Sequence, residues 1–229
     1  MRFPRPLALL LLALAFARAQ DVVDRMAAVV NKHVILESEL DQEARVELLL
    51  QGQPLTSEPQ STKSRLAVLD HLIDQALLDQ QIVHPEMLSP SDEELAAQLK
   101  QVRDQIPAAA TDDGWSKLLA AYGLSRQDVE QHLISEFRIL RLIDLRFRGL
   151  VHIDKSAVAG YYQDQFVPEM QRKGLVSPPL AAVSDRIEKV LVEQSMSAML
   201  DEWLQTLRAQ AHIEKMISPG ASLANGDRP

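Results

Sequence analysis

The chain has 229 residues and no cysteine, and its 32 acidic residues outnumber 24 basic ones for a net charge of −8. Disulfide and thiolate chemistry are therefore excluded, and an acidic chain without a basic patch is a poor partner for nucleic acid or anionic lipid. Stability has to come from apolar packing, for which 46% hydrophobic residues supply the material.

Arg2 and Arg5 precede an apolar run from Leu7 to Phe16, and Ala17-Arg18-Ala19 has the small-x-small form of a cleavage site. The run is shorter than the roughly 20 residues that span a bilayer. A Sec-type signal over residues 1–19, cut after Ala19, is the expectation, with a retained membrane anchor as the alternative. No cysteine follows the run, which excludes lipoprotein processing. Removing Arg2, Arg5 and Arg18 from the 24 basic residues leaves 21 against 32 acidic ones, a net charge of −11. About 210 residues would remain, enough for one domain or a core with a small appendage.

Val22 to Leu36 is rich in Val and Ile and is broken by Asn31-Lys32-His33, which reads as a hairpin; Asn tolerates positive φ and can begin the reversal without glycine. Ala28, Val29 and Val30 break the alternation, which predicts a strand covered on both faces. A helix opening at Glu37 or Ser38 carries Leu40, Ala44 and Leu48 and stops at Gly52 and Pro54. After a polar linker from Pro54 to Ser61, a second helix presents Leu66, Leu69, Ile73, Ala76 and Leu77 and ends by His84, before Pro85.

Ser91 and Glu94 form a capping-box pattern for a helix reaching about Gln105, where Pro107 stops it. Trp115 to Tyr122 predicts a short helix closed by Gly123. Ser125, with Asp128 in the first turn, caps a longer helix whose buried stripe is Val129, Leu133, Phe137, Leu140 and Phe147. Arg138, Arg141, Arg146 and Arg148 lie in its second half, where cations complement the helix dipole. They read as a solvated face, with a site for an acidic partner as the other reading. Asp154 caps a helix through Tyr161, Tyr162 and Phe166, and Val167 to Pro179, with three prolines and Gly174, reads as a linker. The last helix, from about Leu180 to Ala211, sets Met196, Met199, Leu200, Trp203, Leu204 and Leu207 on one face. His212 to Met216 follows as a short strand, and residues 218–229 as a disordered polar tail.

Catalytic chemistry has no signature here. No two of His33, His71, His84, His132, His152 and His212 stand four apart, so a two-histidine helical zinc site fails on spacing. Neither a glycine-rich phosphate loop nor a nucleophile elbow is present. No cofactor and no metal are expected, although carboxylates brought together by the fold could form an acid–base pair.

Several blocks resemble one family in order along the chain. Val23-Asp24-Arg25, Ala27 to Asn31 and Leu36-Glu37-Ser38-Glu39 are similar to the opening hairpin and helix of the SurA-type periplasmic chaperones. Asp70 to Leu78 is similar to their second helix, and Glu202-Trp203-Leu204 with Leu207 to Ala211 to their closing helix and strand. The resemblance covers about Val22 to Met216, with only helix-forming character between Gln105 and Ser125.

It implies a mainly α fold, a chaperone core of about six to seven helices. A small β-sheet would form from the N-terminal hairpin and a C-terminal strand. One domain would span 20–217, with an N-terminal part 20–166, a linker 167–179 and a C-terminal helix and strand 180–216. In the family, prolyl-isomerase (parvulin) domains separate the two halves; residues 166–180 are too few for one, since an independent domain needs about 50. The implied function is ATP-independent holding of unfolded envelope or outer-membrane polypeptides, without isomerase activity and without stable membrane insertion. A non-catalytic subunit for one folded envelope partner, or a divergent isomerase, are the alternatives, and the oligomeric state stays open. Tyr162, Phe166, Met170, Met196, Met199 and Trp203 are the candidate client-binding residues, because methionine and aromatics suit irregular apolar partners. Met196, Met199 and Trp203 at helical spacing read first as ordinary core, and the crevice between helix layers is the other candidate surface.

Overall fold

A computed structural model describes residues 24–55 and 61–216. The leader with its cleavage site, most of the linker before Ser61 and the tail lie outside the described residues. Strands β1 (Met26–Val30) and β2 (His33–Leu36) form the expected hairpin, and β3 (Ile213–Lys215) joins it from the other end of the chain. The sheet order is β2-β1-β3, antiparallel throughout, with Val30 opposite both His33 and Ile213.

Asn31 fixes this meeting of the two ends. It is the turn residue, at φ 59°, where a β-branched side chain would be strained. Its amide N–H donates to the His212 carbonyl (2.7 Å), its Oδ1 accepts from the His212 N–H (2.9 Å), and its Nδ2 donates to Gln80 Oε1 (2.7 Å). Ala27, Ala28 and Val30 are all fully buried, so the broken alternation does correspond to a strand covered on both faces.

Nine α-helical segments occur among the described residues: α1 (Glu37–Leu50), α2 (Thr62–Asp79), α3 (Pro85–Leu88), α4 (Asp92–Gln105), α5 (Asp112–Tyr122), α6 (Arg126–Phe147), α7 (Lys155–Tyr161), α8 (Val167–Arg172) and α9 (Leu180–Gln210). Segment α3 is one turn, and α7 runs into α8 through a π-helical turn at Tyr162–Phe166, which leaves seven rods. Their starts follow the cap chemistry. Ser61, Ser91 and Ser125 each accept a backbone N–H from the first turn, and Glu94 and Asp128 return the bond to the cap amide. Gly123 closes α5 in the left-handed conformation.

Two boundaries differ from expectation. Helix α5 begins three residues earlier, because Thr111 caps it through the Gly114 N–H (3.0 Å). Glycine is required there, since a Cβ on Gly114 would stand 2.3 Å from the Ala108 carbonyl oxygen. The segment read as a linker from Val167 is helical as far as Arg172. Pro168 directly follows the π-helical turn, whose wider ring, closed by the Val167 N–H on the Tyr162 carbonyl, accommodates a residue without an N–H, so the rod continues.

Three apolar clusters organise the packing. The first joins the sheet to α1, α2 and the C-terminal end of α9, with Ala28, Ile35, Leu40, Leu69, Ile73 and Leu207 at its centre. The second lies on the other face of α1, where Val46 and Leu49 meet α4, α5 and the start of α6. The third is small: Val158 of α7 against Val183 and Ile187 of α9, flanked by Tyr161, Tyr162 and Phe166. Helix α9, 31 residues and about 46 Å long, therefore links a satellite at its start to the main body at its end. Arg208 ties that end to α2, through Asp74 Oδ1 (2.6 Å) and the Asp70 carbonyl (3.1 Å), and Lys215 of β3 pairs with Asp70. Among the described residues no helix is long and apolar enough to cross a membrane.

Candidate functional site

Two cavities lie on either side of the contact between α2 and α6. The first is an apolar groove of about 290 Å³ where three helical faces converge. Helix α2 supplies His71, Asp74, Gln75 and Leu78, and α6 supplies Glu136, Ile139, Leu140 and Ile143. Both rows have the i, i+3, i+4, i+7 spacing of a single helix face. Leu200 and Leu204 of α9 form the third wall. Leu140 is 63% exposed here, so the stripe expected to be buried along α6 is split. Ile139 and Leu142 pack on the main cluster, whereas Leu140 faces the groove. The volume is at the lower end of small-molecule sites, about 300–1,000 Å³, and fits one or two large side chains of a polypeptide.

The second cavity, about 220 Å³, is polar and lies between α1, α2 and α6. Gln75 lines both. In its wall His132, with a side chain only 6% exposed, bridges Glu43 of α1 (Nδ1 to Oε1, 3.0 Å) and Glu136 of its own helix (Nε2 to Oε1, 3.4 Å). Burial by itself lowers the His132 pKa. The hydrogen bonds to Glu136 and Glu43 and their charges outweigh it and raise the value to about 10, so the ring is an imidazolium at neutral pH. The same bond to His132 holds Glu136 below the usual carboxylate range against its own burial. Glu47, one turn after Glu43, is raised by burial, with the neighbouring Glu43 charge adding to it and His71 opposing. Asp79, also in this wall, is raised by burial.

The chemistry of the two cavities differs accordingly. The groove offers apolar contact with a polar rim of His71, Asp74 and Glu136, and Asp74 is already committed to Arg208. The polar cavity gathers carboxylates and imidazoles from three helices. Sequence spacing does not reveal that gathering, because His132 lies 89 residues from Glu43; the local signals are the spacings of four between His132 and Glu136 and between Glu43 and its neighbour Glu47.

The six residues singled out from sequence lie outside the groove lining and fall into separate places. Tyr162 and Phe166 stack with ring centroids 5.7 Å apart in the satellite, and the Tyr162 hydroxyl donates to the Pro178 carbonyl (2.7 Å). Met170 is half-buried on α8, and Met196 and Met199 are half-buried on the middle of α9. Trp203 packs edge-to-face on Phe147 (5.7 Å) under the Arg146 guanidinium, 4.1 Å from its ring centroid. The four arginines at the end of α6 and just beyond it have partners within the chain. Arg138 donates to Ser89, Arg141 to Glu94 and the Ser89 carbonyl, and Arg148 pairs with Asp144. The row is thus split, with Arg138 and Arg141 engaged by the segment before α4 and Arg146 and Arg148 on a solvated face.

Comparison with known proteins agrees with this architecture. Residues 6–143 match the SurA-like N-terminal domain family. Chaperone SurA of Pseudomonas aeruginosa is 29% identical over 184 residues, a match that takes in 76% of this chain and 43% of the relative. The chain thus spans less than half the length of that relative. With more than half of its residues inside the family match and with the hairpin, α2 and the closing helix and strand meeting in one core, the chain belongs to the SurA-like N-terminal domain family.

Proposed function

We propose that the protein is an ATP-independent holding chaperone of the periplasm that keeps unfolded outer-membrane or envelope polypeptides from aggregating, without prolyl-isomerase activity. The observation that carries this reading is the uncovered apolar groove between α2, α6 and α9 in a chain of this family. Unfolded chains present single large apolar side chains spaced along a flexible backbone. A shallow groove of this volume accepts such side chains one or two at a time, and its polar rim lets the backbone on either side stay hydrated. Apolar contact without directional partners also suits clients of varied sequence, since hydrophobic attraction depends on area rather than on orientation.

The half-buried Met196, Met199, Tyr162, Phe166, Met170 and Trp203 would form secondary contacts along α9 and the satellite. Leu175 and Val176, exposed in the crossover to α9, extend the apolar surface there.

Light scattering of a denatured porin diluted from urea tests the reading. Stoichiometric protein should suppress the signal, and Leu140→Asp should weaken the suppression while keeping the melt cooperative, because Leu140 is exposed. Absence of suppression by the unaltered protein would refute holding activity. Capture of one stoichiometric folded protein from envelope extract, in place of many unfolded clients, would favour a dedicated binding subunit. Acceleration of cis-to-trans conversion in a proline peptide would contradict the absence of isomerase activity.

A further inference from the structure

Glu43 and Glu47 stand four residues apart on α1, so their side chains leave the same helix face. His71 reaches that face from α2. One donor atom from each of the three lies within 4.8 Å of the other two, and Glu43 Oε1 is 4.0 Å from His71 Nε2. Glu43 is the most enclosed, with a side chain 11% exposed. Both of its oxygens face the His132 imidazolium, Oε2 in the hydrogen bond (3.1 Å) and Oε1 as an ion-pair contact (3.0 Å) with lone pairs to spare.

We propose that Glu43, Glu47 and His71 form a binding site for one divalent first-row transition-metal ion, with water filling the remaining positions. Two carboxylates and an imidazole are a donor set for zinc and its neighbours rather than for calcium or magnesium, which take oxygen ligands. Metal–ligand distances of about 2.1 Å require donor atoms about 3.4 Å apart in a tetrahedron. The cluster therefore has to contract by up to about 1.4 Å at its widest, which the His71 ring, 48% exposed, can supply by turning away from its contact with Gln75 Nε2 (3.0 Å). That exposure also gives the ion a path from solvent.

Charge favours the site. Glu43, Glu47 and Glu136, when ionised, outweigh the single His132 imidazolium and leave two negative charges for the ion. His132 keeps its bond to Glu43 Oε2 and so orients the carboxylate from behind, as an outer partner does at metal sites. A bound ion would clamp α1 to α2 beside the apolar groove, since His71 lines that groove as well.

Titration of the untagged, chelator-stripped protein with ZnCl₂ by calorimetry tests the assignment. The expected result is saturable binding of one ion and a raised melting temperature, with no competition from excess magnesium. His71→Ala and Glu47→Gln should each weaken binding at least about tenfold, while His152→Ala, in an exposed loop, leaves it unchanged. Co²⁺ gives a readout independent of stability: visible absorption bands should appear with the unaltered protein and be lost in His71→Ala. Glu47→Gln preserves volume and carries the test if His71→Ala does not fold. Absence of saturable zinc binding, or equal affinity in Glu47→Gln and the unaltered protein, would overturn the site.

Discussion

The two ends of α9 do different work, although one helix runs through both. At its C-terminal end, Leu207 is buried in the main cluster, Arg208 is held by Asp74 and the Asp70 carbonyl, and β3 completes the sheet against β1. At its N-terminal end, Val183 and Ile187 meet only Val158 among buried side chains, with Tyr161, Tyr162 and Phe166 half-covered around them. The first end belongs to a core assembled from both termini of the chain. The second carries a satellite of three buried side chains, so few buried apolar contacts hold it closed. Long-range closure thus holds the main body, while the rod next to it rests on a much smaller cluster.

The strongest way to break this contrast is to remove the closing end. Deleting residues 200–229 takes away Leu207, Arg208 and β3 together and should abolish the cooperative melt followed by circular dichroism. A cooperative transition that survives the deletion would mean that the main body does not depend on its C-terminal contribution.

Next in size is the buried pair inside the main body. Replacing His132 by Gln strips Glu43 of its charged partner and should cost about 3–5 kcal/mol, since an uncompensated buried charge remains. The pH dependence has a definite sign. The His132 pKa is raised from 6.5 to about 10 on folding, so the folded protein binds the extra proton. Its stabilisation is complete below about pH 6.5 and is lost as pH rises through about 10. Glu136 is lowered, so its share is present above the ordinary carboxylate pKa and is lost in acid. Urea midpoints should therefore fall from pH 6.5 to 10 in the unaltered protein, and His132→Gln should flatten that slope.

Single core truncations sharpen the comparison. Leu207→Ala should cost about 2–5 kcal/mol in global unfolding. Ile187→Ala, with a side chain even better buried, should leave the main transition in place and instead lower hydrogen-exchange protection across residues 155–172. Equal global destabilisation by both would show that satellite and body unfold as one unit. The smallest effect is at the hairpin turn. Asn31→Ala removes two side-chain hydrogen bonds and a residue suited to positive φ, for about 1–3 kcal/mol, read in the urea midpoint.

Much of this was legible in the sequence where the physics is local. Ser61, Ser91, Ser125, Asp154 and Gly123 mark their helix ends because a cap needs only its own next three residues. The hairpin and β3 were legible for the same reason, and their pairing followed from the family likeness. Helical periodicity was less informative, because it identifies a face and not its depth. Leu140 shares the spacing of Val129 and Leu133, yet α9 stops short of covering it, and Met196 and Met199 lie on the same face as Leu207 without reaching its cluster. Val167 to Arg172 reads as a linker through its proline, yet the π-helical turn before Pro168 carries the rod through it. The polar cluster of Glu43, Glu47, His71 and His132 comes from three helices and depends on tertiary packing that spacing does not encode.

Site-specific photo-cross-linking tests the central claim, that clients enter the groove between α2, α6 and α9. A benzophenone side chain would be placed at position 140 and, in separate proteins, at positions 162 and 196, and irradiated while a denatured porin is diluted into buffer. The account predicts the highest yield of porin adduct at position 140, with weaker adducts at 162 and 196. Adducts confined to positions 162 and 196, with none at 140, would contradict it.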